Sequence, residues 1–182
     1  MKYIVCFGIF LLLPRLIAQE NGANDSEPED SGVWLGLGIG ANHFGPTLYA
    51  SGSFLYDKHI LTVRYLKADE AHISFGEAYD FDDPPLSIRE IGILYGRSLR
   101  KQNAVLSLSG GIGILDGQSR GKWIAYKEYE KISMAGIGMS FEAEVRFEFM
   151  NALGISGSFF GNLNNKKTFT GGMVKISIGK FM

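Results

Sequence analysis

Cysteine is almost absent from this sequence, and the one cysteine, Cys6, lies in an apolar segment near the N-terminus. A mature chain that lacks this segment would contain neither a disulfide bond nor a cysteine-ligated metal. Histidine is also scarce, and His43, His59 and His72 are too scattered to indicate a metal site by their spacing. We therefore expect no metal and no cofactor.

An excess of either charge is lacking as well, since 18 basic side chains nearly balance 19 acidic ones. This balance gives no indication of nucleic-acid binding. Beyond the N-terminal segment there is also no run of roughly 18 apolar residues, the length that a transmembrane helix needs. If the mature chain lies in a membrane, it must cross it with strands.

The N-terminus has the features of an export signal. Lys2 supplies a positive start, the apolar run from Ile4 to Leu13 has the length of a signal core, and Ala18 offers a small residue for cleavage. We predict a cleavable signal peptide over residues 1–18 and a flexible acidic linker over residues 19–31. The alternative is a buried N-terminal helix.

From Gly32 onward, apolar and polar residues alternate with a period of two, which is typical of strands with two different faces. Eight such segments can be distinguished: Val33–Ala41, Thr47–Tyr56, His59–Lys67, Ile88–Leu99, Ala104–Ile114, Ser133–Phe149, Leu153–Phe160 and Gly172–Phe181. Tight turns follow the second, fourth and sixth segments. Longer connections follow the third, fifth and seventh: Ala68–Ser87, Leu115–Ile132 and Gly161–Gly171. Short turns at one end and long loops at the other are typical of transmembrane barrels.

The small polar residues indicate which face of the strands is inside. The first, fifth and seventh segments have mainly glycine and serine opposite their apolar face. Small side chains fit the narrow interior of an eight-stranded barrel, whereas they would form weak strands on a water-exposed surface. The predicted fold is therefore all-β: an eight-stranded antiparallel transmembrane up-and-down β-barrel over residues 32–182. A soluble lipocalin-like barrel, with its apolar face inward, is the main alternative.

The pattern of residues 33–182 resembles the small eight-stranded outer-membrane barrels of the OmpX/OmpA-like group, including the outer-membrane β-barrel domain proteins of Bacteroidetes-type bacteria. The resemblance implies an outer-membrane location, a monomer, and contact with outer-membrane lipid and lipopolysaccharide. The last strand is similar to the C-terminal strand that the barrel insertion machinery recognises in such proteins. That similarity rests on Ile176, Ile178 and Phe181.

The sixth segment is unusual because Glu142, Glu144, Arg146 and Glu148 share its polar face. Inward-facing carboxylates of this kind are either acid/base groups or part of a charge network that fills the lumen. Buried charges need partners, so we favour a filled lumen. The predicted network consists of Arg64, Glu90, Glu142, Glu144, Arg146, Glu148 and Lys175.

Two predicted loops are candidates for binding an extracellular partner. The first is acidic and aromatic and includes Asp80, Asp82 and Asp83. The second combines basic residues with Trp123 and Tyr126, and could meet lipopolysaccharide or form an extended hairpin above the membrane. A simple solvated loop is the alternative for the first of them.

Catalysis is not expected, because no convergent nucleophile, base and acid can be identified in the sequence. His72 and Ser74 resemble the His-x-Ser arrangement of outer-membrane lipid A deacylases, but they lie in a predicted loop and not on a late strand. A structural or surface-interaction barrel is the favoured function. A lipid-modifying enzyme, a narrow channel and a soluble periplasmic lipid carrier remain alternatives.

Overall fold

The computed structural model describes residues 31–70, 86–125, 128–150 and 152–181. It contains eight strands: β1 (Ser31–Asn42), β2 (Pro46–Tyr56), β3 (His59–Asp69), β4 (Ser87–Lys101), β5 (Ala104–Ala125), β6 (Glu128–Phe149), β7 (Leu153–Leu163) and β8 (Phe169–Lys180). Consecutive strands pair antiparallel, and β1 pairs with β8 to close the barrel. The predicted eight-stranded antiparallel barrel is confirmed. The predicted signal peptide and linker fall almost wholly outside the described residues and stay predictions.

No helix in the described part of the chain is long and apolar enough to cross a membrane.

Tight turns join β2 to β3, β4 to β5 and β6 to β7 at one end of the barrel, which we call the turn end. One residue near the start of each turn, Asp57, Gln102 or Met150, has a left-handed backbone with φ of 53°, 54° and 63° respectively. Aspartate adopts this conformation readily, whereas glutamine and methionine do so at some cost. The opposite end, which we call the loop end, contains the remaining connections.

Of the two alternatives for Leu115–Ile132, the structure shows the extended hairpin and not a long irregular loop, because β5 continues to Ala125 and β6 begins at Glu128. The sequence prediction ended these strands where apolar alternation stops, near Ile114. An antiparallel pair needs only backbone hydrogen bonds between its strands, so it continues where both of its faces are polar. At Asp116 the residues facing outward become polar, while the backbone continues as a β-strand. The connection predicted at Gly161–Gly171 is likewise shorter, since only residues 164–168 separate β7 from β8.

The outer wall of the barrel is apolar and exposed. On β1, every second residue from Val33 to Ile39 is more than half exposed, and the alternate positions up to Leu37 are buried or glycine. The other strands repeat this arrangement, for example at Ile91 and Ile93 on β4 and at Val174 to Ile178 on β8. A closed sheet with this apolar surface has no unpaired edge along its wall and suits a lipid surrounding.

The interior has three layers along the barrel axis. An apolar layer near the loop end consists of Tyr49, Leu66, Ala68, Leu86, Ile88, Leu115, Phe160, Phe169 and Met173. A second apolar layer near the turn end consists of Trp34, Leu55, Ile60 and Phe181. Buried charged side chains lie between them and extend toward the turn end. Sequence reasoning predicted a polar interior and did not identify the two apolar layers.

Candidate functional site

Arg64 on β3 is the centre of the loop-side half of the charged layer. Its Nη2 lies 2.7 Å from Glu90 Oε1 and its Nη1 lies 3.3 Å from Glu142 Oε2. The guanidinium also donates to the backbone oxygens of Phe141 and Gly161, each at 3.1 Å. Arg64 thereby links β4, β6 and β7 across the lumen.

A glycine makes room for this arginine. Gly92 lies directly opposite Arg64 in the β3–β4 ladder. A Cβ at this position would stand 3.0 Å from Glu90 Oε1 and 3.4 Å from Arg64 Cγ. The first contact is tighter than most real Cβ contacts, so the absence of a side chain permits the Arg64–Glu90 pair to form against the wall.

Lys175 on β8 connects two carboxylates of β6. Its Nζ lies 2.5 Å from Glu142 Oε1 and 2.7 Å from Glu144 Oε2. The hydroxyl of Tyr49 donates to Glu142 Oε2 at 3.0 Å. Glu142 is therefore held by an arginine, a lysine and a tyrosine from three different strands. Buried carboxylates are tolerated when they are paired and hydrogen-bonded in this way.

Arg146 joins the charged layer to the apolar layer at the turn end. Its guanidinium carbon lies 3.9 Å from the centre of a Trp34 ring and 4.9 Å from the Phe181 ring. Its Nη2 pairs with Glu148 Oε1 at 3.1 Å. A stacked, ion-paired arginine fills the lumen with both apolar and polar contacts.

The structure places all seven residues of the predicted network inside the barrel, where each is at most 9% exposed. Four of them are carboxylates and three are cations. The fourth cation is Arg100, near the β4–β5 turn, whose Nη2 lies 3.1 Å from Glu148 Oε2. Formal charge in the network thus balances only when Arg100 is included.

The sequence did not identify several residues that take part in the network, three of them buried and one, Arg100, exposed. Ser140 donates to Glu90 Oε1 at 2.8 Å, and Asn162 donates to Ser140 at 3.0 Å. Tyr49 and Arg100 were missed as well. Position along a strand already placed Tyr49 and Ser140 on the inward face, but nothing in the sequence pairs a residue with a partner on a distant strand.

The C-terminal strand residues lie on two different faces. Ile176 and Ile178 are exposed on the outer wall, whereas Phe181 follows β8 and is buried beside Trp34 with ring centroids 5.7 Å apart. Their predicted recognition by the insertion machinery stays a prediction.

The predicted loop residues fall mostly outside the described part of the chain. Asp80, Asp82, Asp83 and Tyr126 lie outside it, as do His72 and Ser74. Trp123 is on β5 and stands opposite Tyr129 in the ladder, next to register shifts on both sides. In the described ranges, no group of three or more histidine, cysteine, aspartate or glutamate side chains is arranged to hold a metal ion.

The β5–β6 hairpin extends beyond its neighbours at the loop end. Toward the loop end, the last pair between β4 and β5 is Ser87 opposite Gln118, and the last pair between β7 and β6 is Leu163 opposite Met139. Beyond these positions β5 and β6 pair with each other, and no further strand of the described chain flanks them. The outward side chains of β5 change from Ile112 and Ile114 to Asp116 and Gln118 just before this extension begins. The hairpin thus presents exposed side chains to solvent beyond the ends of the neighbouring strands.

A closed eight-stranded antiparallel barrel with an apolar outer wall and an ion-paired interior has the fold of the small outer-membrane barrels. Three solved structures of that kind are similar to this chain. The N-terminal barrel domain of Pseudomonas aeruginosa OprF has a TM-score of 0.57 at 11% identity, covering 83% of this chain and 98% of that one. Yersinia pestis outer membrane protein Ail, in a phospholipid bilayer nanodisc, has a TM-score of 0.52 at 10% identity, and the match covers 83% of this chain and 99% of Ail. Neisserial surface protein A has a TM-score of 0.51 at 10% identity, and the match covers 86% of this chain and 98% of that protein.

No protein-family model matches this chain, and no curated protein does so by sequence. The resemblance to the OmpX/OmpA-like group is thus shown as a likeness of fold.

Proposed function

We propose that this protein is an integral outer-membrane barrel, non-catalytic, with a closed lumen and a surface role performed at its loop end. One observation carries the proposal: the interior is filled from end to end, while the β5–β6 hairpin extends beyond the sheet. An interior filled with packed and paired side chains leaves no continuous water path for solutes. The function then resides in surfaces outside the wall.

The outer-membrane location is supported by the apolar outer wall and by the fold shared with OprF, Ail and Neisserial surface protein A. A soluble barrel would leave this wall in water, where apolar patches larger than a few hundred Å² are rare on monomers. Its partners in this proposal are outer-membrane lipid, lipopolysaccharide at the loop end, an extracellular molecule at the hairpin, and the insertion machinery through Ile176, Ile178 and Phe181. The barrel acts as a monomer.

Cysteine labelling in intact cells tests the location and the orientation together. Cys6 lies in the predicted signal peptide, so a mature Lys122→Cys variant would have a single thiol, on the hairpin. We expect a membrane-impermeant maleimide to label Lys122→Cys in intact cells, and to label the turn-end control Lys101→Cys only after the membrane is disrupted. Labelling of Lys101→Cys alone in intact cells would contradict the orientation, and fractionation with soluble periplasm would contradict the location.

Conductance measurements test the closed lumen. Both apolar layers and the paired charges between them would have to separate before ions could pass. We therefore expect negligible current from the purified barrel in planar lipid bilayers, with a general porin as the positive control. Sustained single-channel currents from the wild-type protein would contradict the closed lumen and favour the channel.

A further inference from the structure

A strip of basic side chains lies on the outer wall of the barrel at the turn end of β3 and β4. Arg97 stands opposite His59 in the β3–β4 ladder and faces outward. Lys101 is on the same face of β4, one turn-ward step beyond Leu99, and Lys58 is in the adjacent β2–β3 turn. We call Lys58, Arg97 and Lys101 the basic strip. All three are exposed.

The cations of the basic strip form no ion pairs among residues 31–70, 86–125, 128–150 and 152–181. Asp57 lies in the same turn as Lys58, whereas Glu148 faces the lumen and is held by Arg100 and Arg146. The strip thus has a net positive charge.

The loop end of the same two strands is different. There, Lys67 Nζ pairs with Asp69 Oδ2 at 2.8 Å, and Arg89 stands opposite Asp116 in the β4–β5 ladder. Outward cations at that end are therefore matched by acids on the same surface. The uncompensated charge on this part of the wall is confined to the turn end.

Moving away from the basic strip along β4, the outer wall is first aromatic and then apolar. Ile91 and Ile93 face outward on β4, followed by Tyr95 and then Arg97 on the same face. The hydroxyl of Tyr95 lies 2.5 Å from His59 Nδ1, and the two rings stack with centroids 5.7 Å apart. About 13 Å of strand separates Ile93 from Arg97. Aromatic side chains between an apolar and a charged zone are typical of a membrane–water interface.

We propose that the basic strip binds the phosphate groups of anionic phospholipids in the membrane leaflet at the turn end, while the acyl chains lie against Ile91, Ile93 and Val63. The proposal rests on the proposed membrane location. A cationic surface just outside an apolar wall attracts negatively charged headgroups more strongly than zwitterionic ones. Strand β6 supplies an internal contrast, because it presents Phe147 and Phe149 at the same end and no outward cation.

The test compares lipids at the protein surface. The mature protein is refolded into phosphatidylcholine vesicles with trace spin-labelled phosphatidylglycerol or spin-labelled phosphatidylcholine, and electron paramagnetic resonance gives the motionally restricted fraction of each. We expect selectivity for phosphatidylglycerol in the wild type. The affinity for phosphatidylglycerol relative to phosphatidylcholine should fall by about five-fold for each cation neutralised. In Arg97→Gln/Lys101→Gln the two lipids should therefore bind almost equally.

Two control variants separate a specific site from net charge. Lys122→Gln/Lys131→Gln removes the same charge from the hairpin and is expected to keep the selectivity, and Arg97→Lys/Lys101→Arg is expected to keep it because the charge remains. Equal selectivity in the wild type and in Arg97→Gln/Lys101→Gln would overturn the site. The same loss in the hairpin variant would overturn it too.

Heat-modifiable migration of each sample on gels distinguishes the two levels of failure. A protein that inserts and folds but shows no lipid selectivity overturns the basic strip and leaves the proposed function standing. A wild-type protein that never inserts into vesicles overturns both.

Discussion

Replacing Arg64 with methionine is expected to lower the free energy of unfolding by about 3–5 kcal/mol, the cost of removing one partner from a buried ion pair. Glu90 is 0% exposed and Arg64 is 1% exposed, so the Glu90 carboxylate would remain in the interior without its cation. Glu142 would keep Lys175 and Tyr49. The measurement is reversible urea unfolding of the refolded protein in lipid vesicles, followed by tryptophan fluorescence.

Two further variants assign the loss to the uncompensated Glu90. Arg64→Met/Glu90→Met removes both ions and should recover much of the stability, because an apolar replacement of a buried ion pair is often nearly neutral. Lys131→Met removes an exposed cation on the hairpin and should change the unfolding free energy by less than about 0.5 kcal/mol. If Arg64→Met alone were equally harmless, the interior pairing would not contribute to the stability of the barrel.

Replacing Leu37 with arginine is expected to cost about 2–4 kcal/mol in lipid vesicles, the penalty for a lipid-facing cation near the middle of a bilayer. Leu37 is 66% exposed on the outer wall of β1 and stands between Ala50 and Ile176 in the two ladders. The long side chain of the introduced arginine would have to reach past other apolar residues to find water. Unfolding in urea and the folded fraction on gels both report the penalty.

Ile124→Arg is the matched control, because Ile124 is 67% exposed and lies on the part of β5 that extends beyond the sheet. In the proposed arrangement it is outside the apolar belt, so arginine should be tolerated there. A soluble barrel would place both positions in water and tolerate both substitutions alike. Equal, small effects at Leu37 and Ile124 would therefore contradict the membrane location.

The alternation of apolar and polar residues was sufficient to predict the eight strands, their antiparallel order and the orientation of each face. Val33 to Ile39 and Val174 to Ile178 alternate strictly because one face meets an apolar surrounding and the other meets a narrow interior. A shift of one residue would exchange the two faces, so such a pattern strongly constrains the register. Where alternation faded, beyond Ile114, the prediction ended the strands too early.

The interior network was predictable only in part. The sequence indicated that Glu142, Glu144, Arg146 and Glu148 face inward and need cations, because a strand face with a known direction has a known environment. It did not indicate that Arg100 would supply the fourth cation from the turn end of β4, or that Tyr49 would donate to Glu142. Those contacts join residues that are about 50 or more positions apart, and the curvature and closure of the barrel bring them together.

The apolar interior layers show the same limit. Leu66, Phe160 and Phe169 are apolar residues on inward faces. In the sequence, Leu66 and Phe160 look like interruptions of the polar pattern, and Phe169 falls in a predicted connection. Only the closed barrel shows that they meet at one level and fill the lumen at the loop end.

By itself, the sequence determined that this protein is a barrel of eight antiparallel strands with an apolar outside, because alternation is a local property of each strand. The tertiary structure alone decided how its interior is filled, which charges balance, and how far the β5–β6 hairpin extends. These depend on which distant residues reach the same height along the barrel axis, and that height is set by the register and tilt of all eight strands together.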